Sequence, residues 1–178
     1  MKESPASELT YPREREAGIA LRDGTTVHVR PIRVKDRDPV RVFLVGLSPD
    51  SIGFRFFGSP NVEWAIRWSL DVDYADRFGL VAVTGDPPTV IAHAAYVRMN
   101  EHKAEVAFVV ADAWQERGIS TILLAHLAEV ADRHGIATFF ARDLTSGRSH
   151  QRYECREPSV HGGLIGGATE SRSEPRCR

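Results

Sequence analysis

Two features of this chain carry residue types suited to chemistry, and they lie ten positions apart. Glu105 is a carboxylate inside an apolar, β-branched run, Ala104-Glu105-Val106-Ala107-Phe108-Val109-Val110, whose alternation reads as a strand. Downstream come the turn Ala111-Asp112-Ala113-Trp114 and the segment Gln115-Glu116-Arg117-Gly118-Ile119-Ser120-Thr121. Ile119, Leu123, Leu127 and Val130 then recur at the spacing of one helix face. A strand feeding a loop that opens a helix aims free backbone N–H groups and the positive end of the helix dipole at one spot, which attracts phosphate. Gly118 lets the main chain come close to a bulky anion. The turn is neither G-x-G-x-x-G nor a P-loop, because no Gly-Lys-Ser/Thr follows. On these residues alone, an ordinary strand-to-helix connection is as good a reading as an anion site.

The elements that must position this stretch are legible on both sides of it. Gly18 to Leu21 and Thr25 to Ile32 alternate around Asp23-Gly24, a hairpin signal, with His28 on a strand surface. Asp38-Pro39 reads as a cap and first-turn proline for a helix through Leu44, and Ser48-Pro49 repeats the device for a helix ending at Gly58. Asn61 caps a third, with Trp64, Ile66, Trp68 and Leu70 along it; Phe54, Phe56 and Phe57 read as packing residues. The acidic run Asp71 to Asp76 lacks the glycine and glutamate of a calcium loop and reads as a solvated helix end. Gly79 to Thr84 and Thr89 to Arg98 are strands about a Gly85-Asp86-Pro87-Pro88 turn. Gly135 stops the long helix, and Ile136 to Ala141 is a last strand. The order predicts an α/β sandwich around one mixed, mainly antiparallel sheet flanked by helices.

Composition bounds the function. The 178 residues suit one domain, and 42% hydrophobic content is enough for a core. A net charge of −1 argues against nucleic acid as partner. No apolar run has the roughly 18 residues needed to span a membrane. The polar N-terminus MKESPASELTYPRERE has no signal-peptide core, so the cytoplasm is the expected location. Two cysteines, Cys155 and Cys177, support neither a disulfide framework nor zinc, and His150 and His161 beside them match no zinc spacing, so no metal is expected.

Gln115-Glu116-Arg117-Gly118-Ile119-Ser120 resembles the acyl-CoA signature Gln/Arg-x-x-Gly-x-Gly/Ala of the GNAT N-acetyltransferase superfamily, with Ser120 replacing the final small residue. Further segments resemble the GNAT domains that acetylate protein lysines, most of all the actinobacterial Pat type. They are Arg30-Pro31-Ile32, Leu47-Ser48-Pro49, Arg55-Phe56-Phe57-Gly58, Val72 to Asp76, Ala104 to Phe108 and Phe140-Ala141-Arg142. The resemblance implies a three-layer GNAT sandwich and transfer of an acetyl group from acetyl-CoA to an amine, on a protein lysine, with an acyl-CoA synthetase as one candidate acceptor protein. It assigns the general base to Glu105, since a free lysine, with a pKa around 10.4, is rarely nucleophilic at neutral pH. A carboxyl group among apolar neighbours, as this strand predicts, resists ionisation and suits that role. It implies that Phe108, Val109 and Val110 pair with the pantetheine arm, and that Val109 or Val110 supplies an oxyanion donor. The pyrophosphate then falls to the amides of Gln115, Glu116, Arg117, Gly118, Ile119, Ser120 and Thr121, with Arg117 adding charge. Two other readings stand beside it: an acyl-CoA-binding module or inactive domain, and a small-molecule amine acetyltransferase.

The resemblance ends near Leu144. The expected division is a disordered lead-in over 1–17, a GNAT domain over 18–144 lacking its last helix and strands, and a low-complexity, disordered tail over 145–178. So abrupt a change is what a frameshifted or recombined end would produce. Tyr153, in that tail, is not assigned as leaving-group acid. Oligomeric state is left open.

Overall fold

The structure, a computed structural model, describes residues 10–56, 61–141 and 151–154, with the main chain alone for Phe54 and 151–154. Seven strands form one sheet in chain order: β1 (Ala17–Ala20), β2 (Thr26–Pro31), β3 (Arg77–Thr84), β4 (Thr89–Asn100), β5 (Lys103–Val110), β6 (Thr138–Ala141) and β7 (Gln151–Glu154). Every neighbouring pair is antiparallel except β5 and β6. A parallel pair needs a crossover. Here it is the 15-residue helix α4 (Ile119–Arg133). Three shorter helices, α1 (Arg37–Val45), α2 (Pro49–Phe56) and α3 (Val62–Leu70), lie between β2 and β3 in sequence.

The helices divide the core between the two sheet faces. Val29, Phe78, Leu80, Tyr96, Val106 and Phe139 pack with Leu123, Leu127 and Val130 of α4. Ile32, Val81, Val83 and Val109 pack with Val40, Phe43 and Leu44 of α1 and Ile66 of α3. Helices on both faces explain why β3 and β4 read as unbroken apolar runs rather than alternating ones. Tyr96 is fully buried yet satisfied, its hydroxyl donating to Ala75 O at 2.8 Å.

Local chemistry sets the helix ends. The hairpin between β1 and β2 closes with Gly24 at φ +84° and with Thr25 N donating to Asp23 Oδ1 at 2.9 Å. The α1 cap is not at Asp38-Pro39: the helix starts at Arg37, after Asp36. Asp36 is drawn inward instead, where its carboxylate accepts both Arg30 Nη1 (2.7 Å) and Nη2 (2.8 Å), and also Arg33 N (2.7 Å). Ser48 Oγ accepts from Ser51 N at the start of α2, which is described as far as Phe56; the expected end at Gly58 lies outside the described residues. Asn61 caps α3 as expected, accepting from Glu63 N at 2.9 Å. The acidic run is exposed, as a solvated helix end should be, and within it Asp73 Oδ1 accepts from Ala75 N and Arg77 N and shapes the loop into β3. Gly135, at φ +77°, ends α4.

The two ends of the chain differ from their expected reading where they are described. Tyr11 of the lead-in packs edge-on against Tyr74, stacks under the Arg33 guanidinium and donates to Glu16. Within the stretch read as tail, Gln151–Glu154 forms β7 against β6, with Tyr153 opposite Phe139. An exposed β6 edge offers unpaired backbone groups, and an extended segment can satisfy them through main-chain bonds without any apolar pattern of its own. The rest of the tail, Cys155, Cys177, His150 and His161 included, lies outside the described residues, as do residues 1–9.

Two substitutions test this packing. Asp36→Asn leaves the half-buried Arg30 without its charge partner and should cost about 3 kcal/mol in chemical denaturation. Gly79→Ala on β3 would place a Cβ 2.8 Å from Ile32 Cγ2 and 3.3 Å from Val72 Cγ1. Overpacking of that kind should cost about 1–3 kcal/mol and lower the melting temperature.

Candidate active site

Strands β5 and β6 share a short parallel ladder, Lys103 opposite Thr138, Ala104 opposite Phe139 and Glu105 opposite Phe140. Beyond Glu105, β5 continues to Val110 with no further pairing to β6 among the described residues. The last described rung is thus Glu105 with Phe140, one residue before the end of β6 at Ala141, and β5 runs on through Phe108, Val109 and Val110 toward the turn. Val109 and Val110 are buried and Phe108 packs toward the α4 core, so their side chains anchor this end of the strand.

The turn after β5 leads into the α4 N-terminus. Glu116 (φ +62°) and Gly118 (φ +79°) both adopt the left-handed conformation. For Glu116 that conformation is strained, a cost of the kind that gathers at functional turns. Gly118 is the α4 cap residue and brings no side chain to the first-turn amides, which lack intrahelical partners. Ile119 is buried, Ser120 half-buried and Thr121 exposed. Two residues of the signature are otherwise engaged. Gln115 N donates to Asp112 O at 3.4 Å, and its Nε2 donates to Val110 O and Ser51 Oγ at 3.2 Å each. Arg117 pairs with Asp23 of the first hairpin at 2.8 Å and lies over the Trp114 ring. The geometry makes Gln115 a brace of the turn and gives Arg117 a partner on the protein itself.

Asp112 fastens this turn to the helical layer. Its carboxylate accepts Ser48 N (3.0 Å), Ser48 Oγ (2.9 Å) and Ser51 Oγ (2.8 Å), from the start of α2. Those hydrogen bonds, that of Ser51 foremost, hold the carboxyl below its ordinary pKa.

Glu105 itself is half-buried and faces a cavity of about 250 Å³ between the sheet and α2–α3, lined also by Arg55, Phe56, Trp64, Trp68, Val97 and Ala107. The aromatic walls are mutually edge-on, Phe56 lying 6.0 Å from Trp64 and 6.2 Å from Trp68. The purely apolar setting expected for Glu105 is not what it meets, because the buried Arg55 guanidinium shares the cavity. Arg55 Cζ sits 4.4 Å from the Trp68 ring centre and Nη2 lies 3.4 Å from His93 Nδ1. Burial pushes the Arg55 pKa down to about 9, against the opposing pull of Glu105. Burial first, and the Arg55 charge second, hold His93 well below its ordinary value, so the imidazole is neutral. Among the described residues Arg55 Nε and His93 Nε2 have no hydrogen-bond partner.

Sequence reasoning placed Glu105 and the turn but missed Arg55 and His93 as site residues. The available signal was a charge on a short helix between packing residues, Ile52 and Phe56, where a solvated arginine would be out of place. His28 behaves as expected of a strand-surface histidine, 3.2 Å from Glu16. Among the described residues no group of three or more His, Cys, Asp or Glu is arranged to hold a metal, and no helix is long and apolar enough to cross a membrane.

A profile of the acetyltransferase (GNAT) family matches residues 52–155. The chain is 30% identical over 144 residues to an acetyltransferase of Pseudomonas aeruginosa, covering 76% of each protein. It is 35% identical over 130 residues to the acetyltransferase Pat of Mycolicibacterium smegmatis, covering 71% of this chain and 39% of that longer protein. Among solved structures, the GNAT domain of S. lividans PAT is 38% identical with a TM-score of 0.68, over 74% of this chain and 80% of that one. The family profile and these relatives lead to one conclusion: the chain belongs to the GNAT family of acetyltransferases and is an acyltransferase.

Proposed function

We propose that this protein transfers the acetyl group of acetyl-CoA to the side-chain amine of a protein lysine in the cytoplasm, with Glu105 as general base. The observation that carries the reading is the position of Glu105: on the last described rung between β5 and β6, and on the wall of a cavity with aromatic sides. An acyl-pantetheine chain laid along Phe108, Val109 and Val110, as an added strand, brings its thioester toward that carboxylate. The amides from Glu116 to Thr121 take the pyrophosphate, with Gln115 holding their loop in shape and the Thr121 hydroxyl within reach. Arg117 contributes charge only if it leaves Asp23.

A lysine reaches the cavity with its methylenes against Trp64 and Trp68 and its ammonium toward Glu105. Glu105 takes one proton from the ammonium, the amine nitrogen forms a bond to the thioester carbonyl carbon, and the C–S bond breaks with its electron pair on the CoA sulfur, which takes the second nitrogen proton and leaves as the thiol. The N–H of Val109 or Val110 donates to the oxygen that gains charge meanwhile. A protein acceptor is favoured over a small amine by the broad groove that shares Trp64 and Trp68 with the cavity. It runs outward past Val34, Arg37, Arg67 and Leu70, open enough for a polypeptide segment.

Three measurements test this. Coenzyme A at a hundredfold excess over its Kd should stabilise the fold by about 2.7 kcal/mol, read as a higher melting temperature. Glu105→Gln should lower acetyl transfer to lysate proteins from labelled acetyl-CoA by about 10²–10⁴-fold. Its acetyl-CoA affinity in calorimetry should be unchanged. Turnover retained in the variant rejects the base, and wild-type binding with no thiol release would mark a holding module instead. Gly118→Ala forces a side chain into the left-handed region, costing about 1–2 kcal/mol, and should weaken acetyl-CoA binding at the α4 terminus.

A further inference from the structure

We propose that the groove between α1 and α3 selects acceptors by charge: Arg67, under the added field of Arg37 and Arg41, takes an acidic residue of the polypeptide that carries the target lysine. The proposal rests on the reading of the acceptor as a protein lysine and adds what must surround that lysine.

Three guanidiniums crowd one carboxylate on this face. Glu63 of α3 accepts Arg37 Nη2 at 2.6 Å and also pairs with Arg41, both from α1. Arg67, one turn further along α3, makes no ion pair or hydrogen bond among the described residues. Its charge adds to theirs at Glu63, whose pKa is held low by the Arg41 hydrogen bond first. The other acid lining the groove, Asp71, is taken by Arg77 at 2.9 Å. Asp38 stands one position round α1 from the row of Arg37 and Arg41 and does not line the groove. The groove is thus left with a surplus of positive charge on a protein whose net charge is −1.

The floor between these cations is apolar and uncovered. Val34 is 77% exposed and Trp64 45%. Exposed apolar side chains rimmed by charge mark an interaction surface rather than a solvated helix face. Trp64 and Trp68 belong both to this groove and to the cavity that Glu105 lines. That continuity decides which part of a partner lies here, namely the residues beside the lysine whose side chain enters between the tryptophans. Helix α3 rises about 1.5 Å per residue, so Arg67 lies about 4.5 Å along its axis from Trp64. An extended segment advances about 3.3 Å per residue, so with the reach of an arginine the matching carboxylate falls within about three residues of the lysine.

A basic neighbour of the lysine meets the surplus of guanidiniums and is disfavoured, and a neutral one gains only the apolar floor. A carboxylate fits Arg67 in the two-bond geometry that guanidinium and carboxylate share, and Arg67 gives up no bond to receive it. Arg37 and Arg41, already bonded to Glu63, contribute field more than contact.

The test uses the full chain and short peptides with one lysine, identical except for Glu, Gln or Lys in those flanking positions. With labelled acetyl-CoA at low salt, the Glu-flanked lysine should show a KM about fivefold below the Gln-flanked one, with similar kcat. The Lys-flanked peptide should have the highest KM. Exposed charges are screened, so about 0.5 M salt should bring the three together. Arg67→Glu should reverse the order, and Arg67→Gln should weaken the preference without reversing it. Equal KM values at low salt, or a preference that Arg67→Glu leaves as it was, overturn the proposal while lysine transfer stands. Binding of the same peptides without acetyl-CoA, read by tryptophan fluorescence, separates the two readings from the other side. Glu-flanked peptides that bind tighter, in an order that Arg67→Glu reverses, yet are never acetylated, uphold the surface and reject the lysine acceptor. Absence of any charge preference in binding overturns the proposal whatever the turnover. If Arg67→Glu does not fold, Arg67→Gln decides, and an undiminished preference in it overturns the proposal. A dimer in light scattering that either variant dissolves assigns the face to a second copy of the chain and overturns it too.

Discussion

The site depends on one parallel pairing, that of β5 with β6, whose last described rung is Glu105 with Phe140. Parallel strands need a crossover to join them, and here it is α4. That helix packs on Val106 and Phe139 on one face of the pair, while Val109 belongs to the core on the other. Past that rung β5 runs on to Val110 and straight into the turn that opens α4, so one strand carries both the carboxylate and the approach to the helix terminus.

Charge placement follows from the same division into layers. Paired charges ring the periphery: Arg37 and Arg41 on Glu63, Arg77 on Asp71, Arg98 on Asp76, Arg117 on Asp23. Half-exposed pairs of that kind contribute little to stability. One pairing runs deeper: Arg30 and Asp36 are matched in direct contact, which ties β2 to the start of α1. Arg55 is buried differently, against the Trp68 face and the His93 ring.

Much of this was legible before any coordinates. Period-two alternation in β1, β2 and β5, the glycine turns at Gly24 and Gly135, and the Asn61 cap all depend on nearest neighbours in the chain, which is what a sequence displays. The Glu105 strand and the Gly118 turn were legible for the same reason. Three things were not. The α1 cap depends on Arg30, six residues away on a strand, pulling Asp36 inward. The β7 pairing depends on backbone groups that every residue possesses, so Gln151–Glu154 has no compositional mark. The Arg55–His93 contact joins a helix to a strand 38 residues away, and short-range patterns do not register such a distance.

The Asp112 carboxylate bridges Ser48 and Ser51 to the turn ahead of α4, with Gln115 closing the set from the other side. That clasp fastens the start of α2 to the loop ahead of Gly118, two segments more than sixty residues apart in the chain. Loosening it with Asp112→Ala would free both at once, the helix that lines the cavity and the turn that opens α4.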